Sequence, residues 1–246
     1  MTPLLQTSDG CQPCLMRRGA ATCVIFAAAL VAWPKSAVAA DFGTAKPSPA
    51  ARSVASWVAQ SKDNGQASFV IIDKRDARIY VFDPQARLRG SAPILLGAAA
   101  GDDTVPGIGD RPLSQVLPHE KTTPAGRFVA EHGLNTHGED IVWVDYDAAV
   151  SMHRVRPNVA SERRLQRLAS ATATDNRISY GCINVPKTFY EKQLSPAMAS
   201  RQSVVYVLPE HKSLQQVFGP GVAEVAVVAR DLRFSGGRKA SRKTKS

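Results

Sequence analysis

Two short runs set the fold class before anything else in the chain does. Ser68-Phe69-Val70-Ile71-Ile72-Asp73 and Ala77-Arg78-Ile79-Tyr80-Val81-Phe82 are dense in β-branched and aromatic residues, and only Lys74-Arg75-Asp76 separates them, which predicts a hairpin. Such side chains lose rotamer freedom in a helix but pack well on a pleated surface. Further strands are expected over Leu88–Leu96, from the Thr122–Phe128 turn onward, over Ile141–Tyr146, over Ala149–His153 with His153 at its end, and over Ser203–Leu208, which Pro209 terminates. Helical signals are fewer and shorter: Val54–Gln60, Ser161–Thr172 with Leu165, Leu168 and Ala169 opposite a solvated arginine face, a helix opened by Pro186 through Phe189 and Leu194, and Leu214–Phe218. Val222–Val228 suits a last strand. The expected class is therefore mainly β with a few short helices. Gly97–Leu113 has no period of either kind, so Gly101–Pro112 is either a rim over a site or a disordered loop.

A chain of 246 residues with 44% hydrophobic content suits one domain with flanking segments. Arg17 and Arg18 precede an apolar run from Ala20 to Trp33, followed by Ala37-Val38-Ala39-Ala40. That order of positive, apolar and small residues is expected of a secretory signal over 1–40, with Met16 as an alternative start; an uncleaved N-terminal anchor is the competing reading. Residues 41–67 are expected to form a linker, marked by Lys46-Pro47-Ser48-Pro49, and a short helix. The folded domain is expected over 68–230, and a basic tail over 231–246.

Export would sort both the charge and the cysteines. The formal net charge of +10 becomes +8 over residues 41–246, which hold 28 basic and 20 acidic side chains. Arg238, Lys239, Arg242, Lys243 and Lys245 crowd the tail, which suits either a tether to anionic envelope components or a solvated end that keeps the chain soluble. Nucleic acid is not an expected partner, because no recognition motif accompanies the charge. Cys11, Cys14 and Cys23 all fall within the expected signal, leaving Cys182 alone in the mature chain. A lone thiol in an oxidising compartment is either buried and inert or kept for its reactivity.

The surroundings of Cys182 give the reactive reading its chemistry. Gly181 permits a tight turn, and a helix opened by Pro186 follows closely, favouring thiolate through its dipole. A nucleophilic thiol needs a base, and of the histidines at 119, 132, 137, 153 and 211 only His153 ends an ordered element flanking the same insertion as Cys182. A His153–Cys182 pair, with backbone N–H groups of Tyr180-Gly181-Cys182 as an oxyanion hole, would suit acyl transfer. No metal is expected: His132 and His137 lie in a Gly-containing loop without defined geometry, and no H-E-x-x-H spacing is present.

These residues carry a resemblance. Ser179-Tyr180-Gly181-Cys182-Ile183-Asn184 resembles the S-H-G-C-hydrophobic-[RN] signature of the L,D-transpeptidase catalytic domain, the YkuD family. Thr123-Pro124-Ala125-Gly126-Arg127-Phe128 is similar to that family's T-P-x-G-x-[FY] segment, and Val150-Ser151-Met152-His153 sits where its histidine-ending strand lies. The resemblance spans about residues 68–208. It implies a mainly β sandwich or barrel in which Cys182 is the nucleophile and His153 the base and acid. Ser179, Tyr180 and Gly181 would shape the turn and oxyanion hole, and Asn184 and Tyr180 would contact substrate. The implied substrate is a peptidoglycan tetrapeptide stem, acylated at its diamino acid with release of D-alanine, and the acceptor is a second stem or a lipoprotein lysine. No cofactor is implied.

Three departures from the family pattern stand out. Tyr180 occupies the usual second histidine, Arg154 replaces the glycine after the base, and 25 residues separate His153 from Ser179, enough for Ser161–Thr172 to form an inserted flap whose arginines would face stem carboxylates and shift substrate choice. They leave two alternatives beside transpeptidation: a hydrolytic L,D-carboxypeptidase or amidase on the same linkages, and a non-catalytic cell-wall-binding module.

Overall fold

The computed structural model describes residues 39–199 and 203–222. The expected signal over 1–40, except Ala39 and Ala40, the basic tail over 231–246, and the Val222–Val228 strand, except Val222, lie outside the described residues.

The chain opens with helix α1 (Pro49–Ser61), the hairpin β1 (Phe69–Asp73) and β2 (Arg78–Phe82), then β3 (Leu88–Pro93) and the short β4 (Leu96–Gly97). A long connection carrying three 3-10 turns leads to β5 (Gly126–Val129), β6 (Glu131–Leu134), β7 (Asp140–Asp145) and β8 (Val150–Arg154). An insertion holds α2 (Arg164–Ala169); β9 (Arg177–Ser179) and β10 (Ile183–Val185) then flank the Tyr180-Gly181-Cys182 turn. Helical turns α3 (Lys187–Phe189), a π-helical Tyr190–Leu194 and α4 (Ser195–Ala197) precede β11 (Val204–Val207) and α5 (Leu214–Phe218).

Strands pair into a five-stranded sheet of order β3-β2-β1-β11-β5, a four-stranded sheet of order β10-β8-β7-β6, and a two-stranded β4-β9 ladder. The fold is thus mainly β with a few short helices, as expected, and these described sheets are open rather than closed into a barrel. Strand alternation explains the layers. Val70, Ile72, Ile79, Val81, Val205 and Val207 point to one side of the larger sheet and pack with Val142, Val144, Met152, Ile183 and Val185 of the smaller one. Phe69, Ile71, Tyr80, Phe82, Val204 and Tyr206 point to the other side, where Val54, Ala55 and Val58 of α1 cover them. Because both faces of β1 and β11 are buried, their sequences are apolar without interruption. No helix of the described residues is long and apolar enough to cross a membrane.

Several elements differ from their sequence expectation for local reasons. Helix α1 starts at Pro49, within the expected linker: Ser48 Oγ accepts the Ala51 N–H at 3.0 Å and Pro49 occupies the first turn, where its missing N–H costs nothing. The packed unit therefore begins before Ser68. The Leu88–Leu96 run is broken after Pro93, where the Ile94 N–H turns to Ala77 O and β4 leaves to pair with β9. The helix expected over Ser161–Thr172 shortens to α2, because Ser170 Oγ binds Asp175 and accepts the Thr172 N–H instead of leaving the backbone to its helix. Strand β6 carried no apolar alternation and was not expected; it is an edge strand with three of its four residues exposed.

Candidate active site

The turn bearing Cys182 is fixed by its own side chains before any distant contact. Ser179 Oγ donates to Cys182 O at 2.6 Å and accepts the Gly181 N–H at 3.1 Å, closing the turn from inside. Gly181 has φ +138°, and a Cβ there would stand 2.8 Å from Thr122 O, so no side chain fits. Thr123 locks the turn from the other side: its hydroxyl donates to Gly181 O at 2.8 Å and accepts the Gly97 N–H at 3.0 Å. Asn184, fully buried, exchanges backbone hydrogen bonds with Leu95 at 2.9 Å and directs Nδ2 to Cys182 O at 3.3 Å. Its Oδ1 accepts a hydrogen bond from Arg164 Nη1, so the insertion reaches the residue that holds Cys182 O.

Strand register decides what the thiol meets. Strands β10 and β8 run parallel with Ile183 beside Met152 and Asn184 beside His153, which sets Cys182 beside Ser151. Trp143 pairs with Ser151 and Glu131 with Trp143. Glu131, Trp143, Ser151 and Cys182 therefore form a row across the four-stranded sheet, on the face away from the core. Ser151 Oγ lies 3.7 Å from Sγ, and Sγ lies 3.5 Å from Ala149 O, presented by a turn residue with φ +51°. His153 follows Ser151 by two residues and so faces the same way. Its Nδ1 lies 2.8 Å from Arg154 O; a carbonyl only accepts, so Nδ1 carries the proton and Nε2 keeps a free lone pair. Burial lowers the His153 pKa below its usual 6.5, and the nearby cations Arg156 and Arg164 add to that, outweighing the Arg154 carbonyl. The neutral base is favoured over an imidazolium.

Two further features shape the site from outside it. Lys121 places Nζ 4.0 Å from the centre of the exposed Tyr180 ring, a cation–π contact on the rim. Beneath, Lys74 is fully buried, and Nζ donates to Gly101 O, to Asp102 Oδ1 at 2.9 Å and to Thr123 O at 2.9 Å. Burial alone would raise the Asp102 carboxyl. Hydrogen bonds from the Lys212, Glu210 and His211 backbone N–H groups and from Lys74 outweigh that and hold it well below its usual value. Lys74 thus braces Thr123, which braces Gly181.

The structure brings Cys182, Ser179, Gly181, Asn184 and His153 into one neighbourhood and leaves Tyr180 at its rim. The Gly181 N–H is already engaged by Ser179, so the Tyr180 and Cys182 N–H groups, without hydrogen-bond partners among the described residues, are the ones free to receive an oxyanion. Asn184 is buried and acts on the turn rather than facing a ligand. Sequence reasoning missed Ser151, Arg164 and Lys74. Ser151 carried one usable signal, its place two residues before His153 on a strand. Of the other histidines, His132 lies 3.1 Å from Ser195 O. Among the described residues no group of three or more His, Cys, Asp or Glu is arranged to hold a metal ion.

No family model matches the sequence, and no curated protein matches it. Solved structures do. The chain is similar to the catalytic domain of an L,D-transpeptidase from E. faecium, with 16% identity, 58% of this chain and 98% of that one covered, and a TM-score of 0.33. It is also similar to the helical cell shape determining protein Pgp2 from Campylobacter jejuni, with 15% identity, 65% and 52% covered, and a TM-score of 0.42. A third similarity is to an L,D-transpeptidase, LdtMt1, in complex with imipenem, with 13% identity, 58% and 59% covered, and a TM-score of 0.34. The chain spans about half the length of Pgp2, 52%, and of a further match, the Ldtfm-avibactam carbamoyl enzyme, 49%.

Proposed function

We propose that the chain is an exported cysteine acyltransferase of the L,D-transpeptidase kind, acting on peptidoglycan stem peptides. The observation that carries this is the placement of Cys182: half-buried at the end of a turn held from both sides, across from Ser151 and two residues along the register from His153, with the Tyr180 and Cys182 N–H groups unengaged among the described residues. In the reaction, His153 Nε2 takes the thiol proton, directly or across one water, and Sγ attacks the carbonyl of the stem's diamino acid. The tetrahedral oxyanion accepts hydrogen bonds from the Tyr180 and Cys182 N–H groups. Collapse breaks the peptide bond to D-alanine, whose amine leaves with the proton from His153, and a thioester remains. An acceptor amine, from a second stem or a lipoprotein lysine, then attacks the thioester; its proton passes to His153 and Cys182 is released. Each step is an acyl transfer, so neither redox change nor an organic cofactor is required. The mature tail, rich in Lys and Arg, suits an anionic envelope.

The test is release of D-alanine from tetrapeptide muropeptides. The wild-type chain should release it with formation of a cross-linked dimer, and Cys182→Ala should not. Equal release by both rejects the nucleophile. A shortened monomer in place of a dimer assigns hydrolysis instead of transfer.

A further inference from the structure

The insertion between β8 and β9 carries a cleft that the chemistry at Cys182 does not use. It has a volume of about 440 Å³ and runs between Pro157–Ala160 and α2. Its walls are Pro157, Val159, Ala160 and Leu165, of which Val159 and Leu165 are 51% and 56% exposed. Arg163 and Arg164 supply its charge, and they differ in their commitments. Arg164 is held by Glu162 through Nε and by Asn184 through Nη1. Arg163 makes neither a side-chain hydrogen bond nor an ion pair among the described residues, and it also borders a second cleft of about 340 Å³ beside Gln166 and Arg167. Arg167 itself is bound by the carbonyls of Glu162 and Asp175, which leave its charge uncancelled.

An apolar trough of small aliphatic side chains next to an unpaired planar guanidinium suits one kind of ligand. That ligand has short aliphatic side chains and a carboxylate that takes two parallel N–H bonds. The cleft is also joined to the thiol, since Arg164 bonds Asn184, whose amide holds Cys182 O. We infer that this cleft binds a carboxylate-bearing peptide, anchored by Arg163, and so selects the peptide presented to Cys182. The inference rests on the acyl-transfer reading for its place in a reaction, and on the cleft alone for binding.

The test uses calorimetric titration of full-length Cys182→Ala with an L-Ala-γ-D-Glu-diamino acid-D-Ala tetrapeptide, as the free acid and with its carboxyls amidated. The free acid should bind, adding Arg163→Ala should weaken it about tenfold, and Arg163→Lys should fall between. The amidated peptide should bind weakly to all three. Absence of binding, equal affinity with and without Arg163, or no preference for acid over amide overturns the inference. With Cys182 present, Arg163→Ala should raise KM about tenfold and leave kcat unchanged. An unchanged KM for D-alanine release overturns the anchor and leaves acyl transfer standing. Arg163-dependent binding without any D-alanine release does the reverse.

Discussion

Ser151 Oγ lies 3.7 Å from Cys182 Sγ, because β8 and β10 pair with Met152 beside Ile183. With Sγ also 3.5 Å from Ala149 O, the thiol has an acceptor for its proton and, after ionisation, a hydroxyl to hold the thiolate. Ser151→Ala should therefore slow alkylation of Cys182 by iodoacetamide about fivefold near neutral pH, the effect of roughly 1 kcal/mol from one lost hydrogen bond. An unchanged rate would mean that Ser151 only fills space.

The lowered His153 pKa fixes the direction of a pH profile. Its folded value lies below 6.5, so the neutral base persists to more acidic pH than a free histidine would allow. The acid limb of Cys182 acylation should fall below pH 6.5. Arg156→Gln, which removes a repelling cation and leaves Glu139 in place, should move that limb upward. The same sign governs stability: the depressed value favours the neutral ring in the fold, so this contribution is lost as pH drops through it. A wild-type limb at or above 6.5 would contradict the assignment.

Asp102 and Lys74 form a pair with side-chain exposures of 1% and 0%, and Asp102 also accepts three backbone N–H groups at 2.7–2.8 Å. Because the carboxyl is held below its ordinary 3.8, its contribution is complete at neutral pH and is lost as pH falls through the depressed value. Asp102→Asn leaves buried Lys74 its two carbonyl acceptors but, among the described residues, only Glu210 at 3.7 Å as a carboxylate, and should cost about 3–5 kcal/mol. Thermal melts should show a Tm lower by about 10 °C and a flatter dependence on acid. A loss below about 1 kcal/mol would show that Glu210 or water replaces the pair.

The legible parts of this fold were those written in local residue chemistry. The β1–β2 hairpin followed from its β-branched runs, α5 appears over the expected Leu214–Phe218, and the Cys182 turn followed from Gly181. What was not legible depends on register and burial. Ser151 meets Cys182 across a gap of 31 residues, set by pairing that neither strand specifies alone. Lys74, in a Lys-Arg-Asp turn, has the sequence of a solvated charge, yet loop 101–123 folds over it. The arginines of the insertion suit either a solvated face or contact with stem carboxylates, and sequence does not show that Arg164 turns inward to Asn184 while Arg163 makes no side-chain pair among the described residues. Strand β6 was invisible because an exposed edge needs no apolar period.

The most direct measurement is intact mass after incubation with a carbapenem, which acylates a competent thiolate. The wild-type chain should gain one carbapenem adduct, located on the peptide containing Cys182, and Cys182→Ala should gain none. An unmodified wild-type chain, or an adduct that survives in Cys182→Ala, would contradict a nucleophilic role for Cys182.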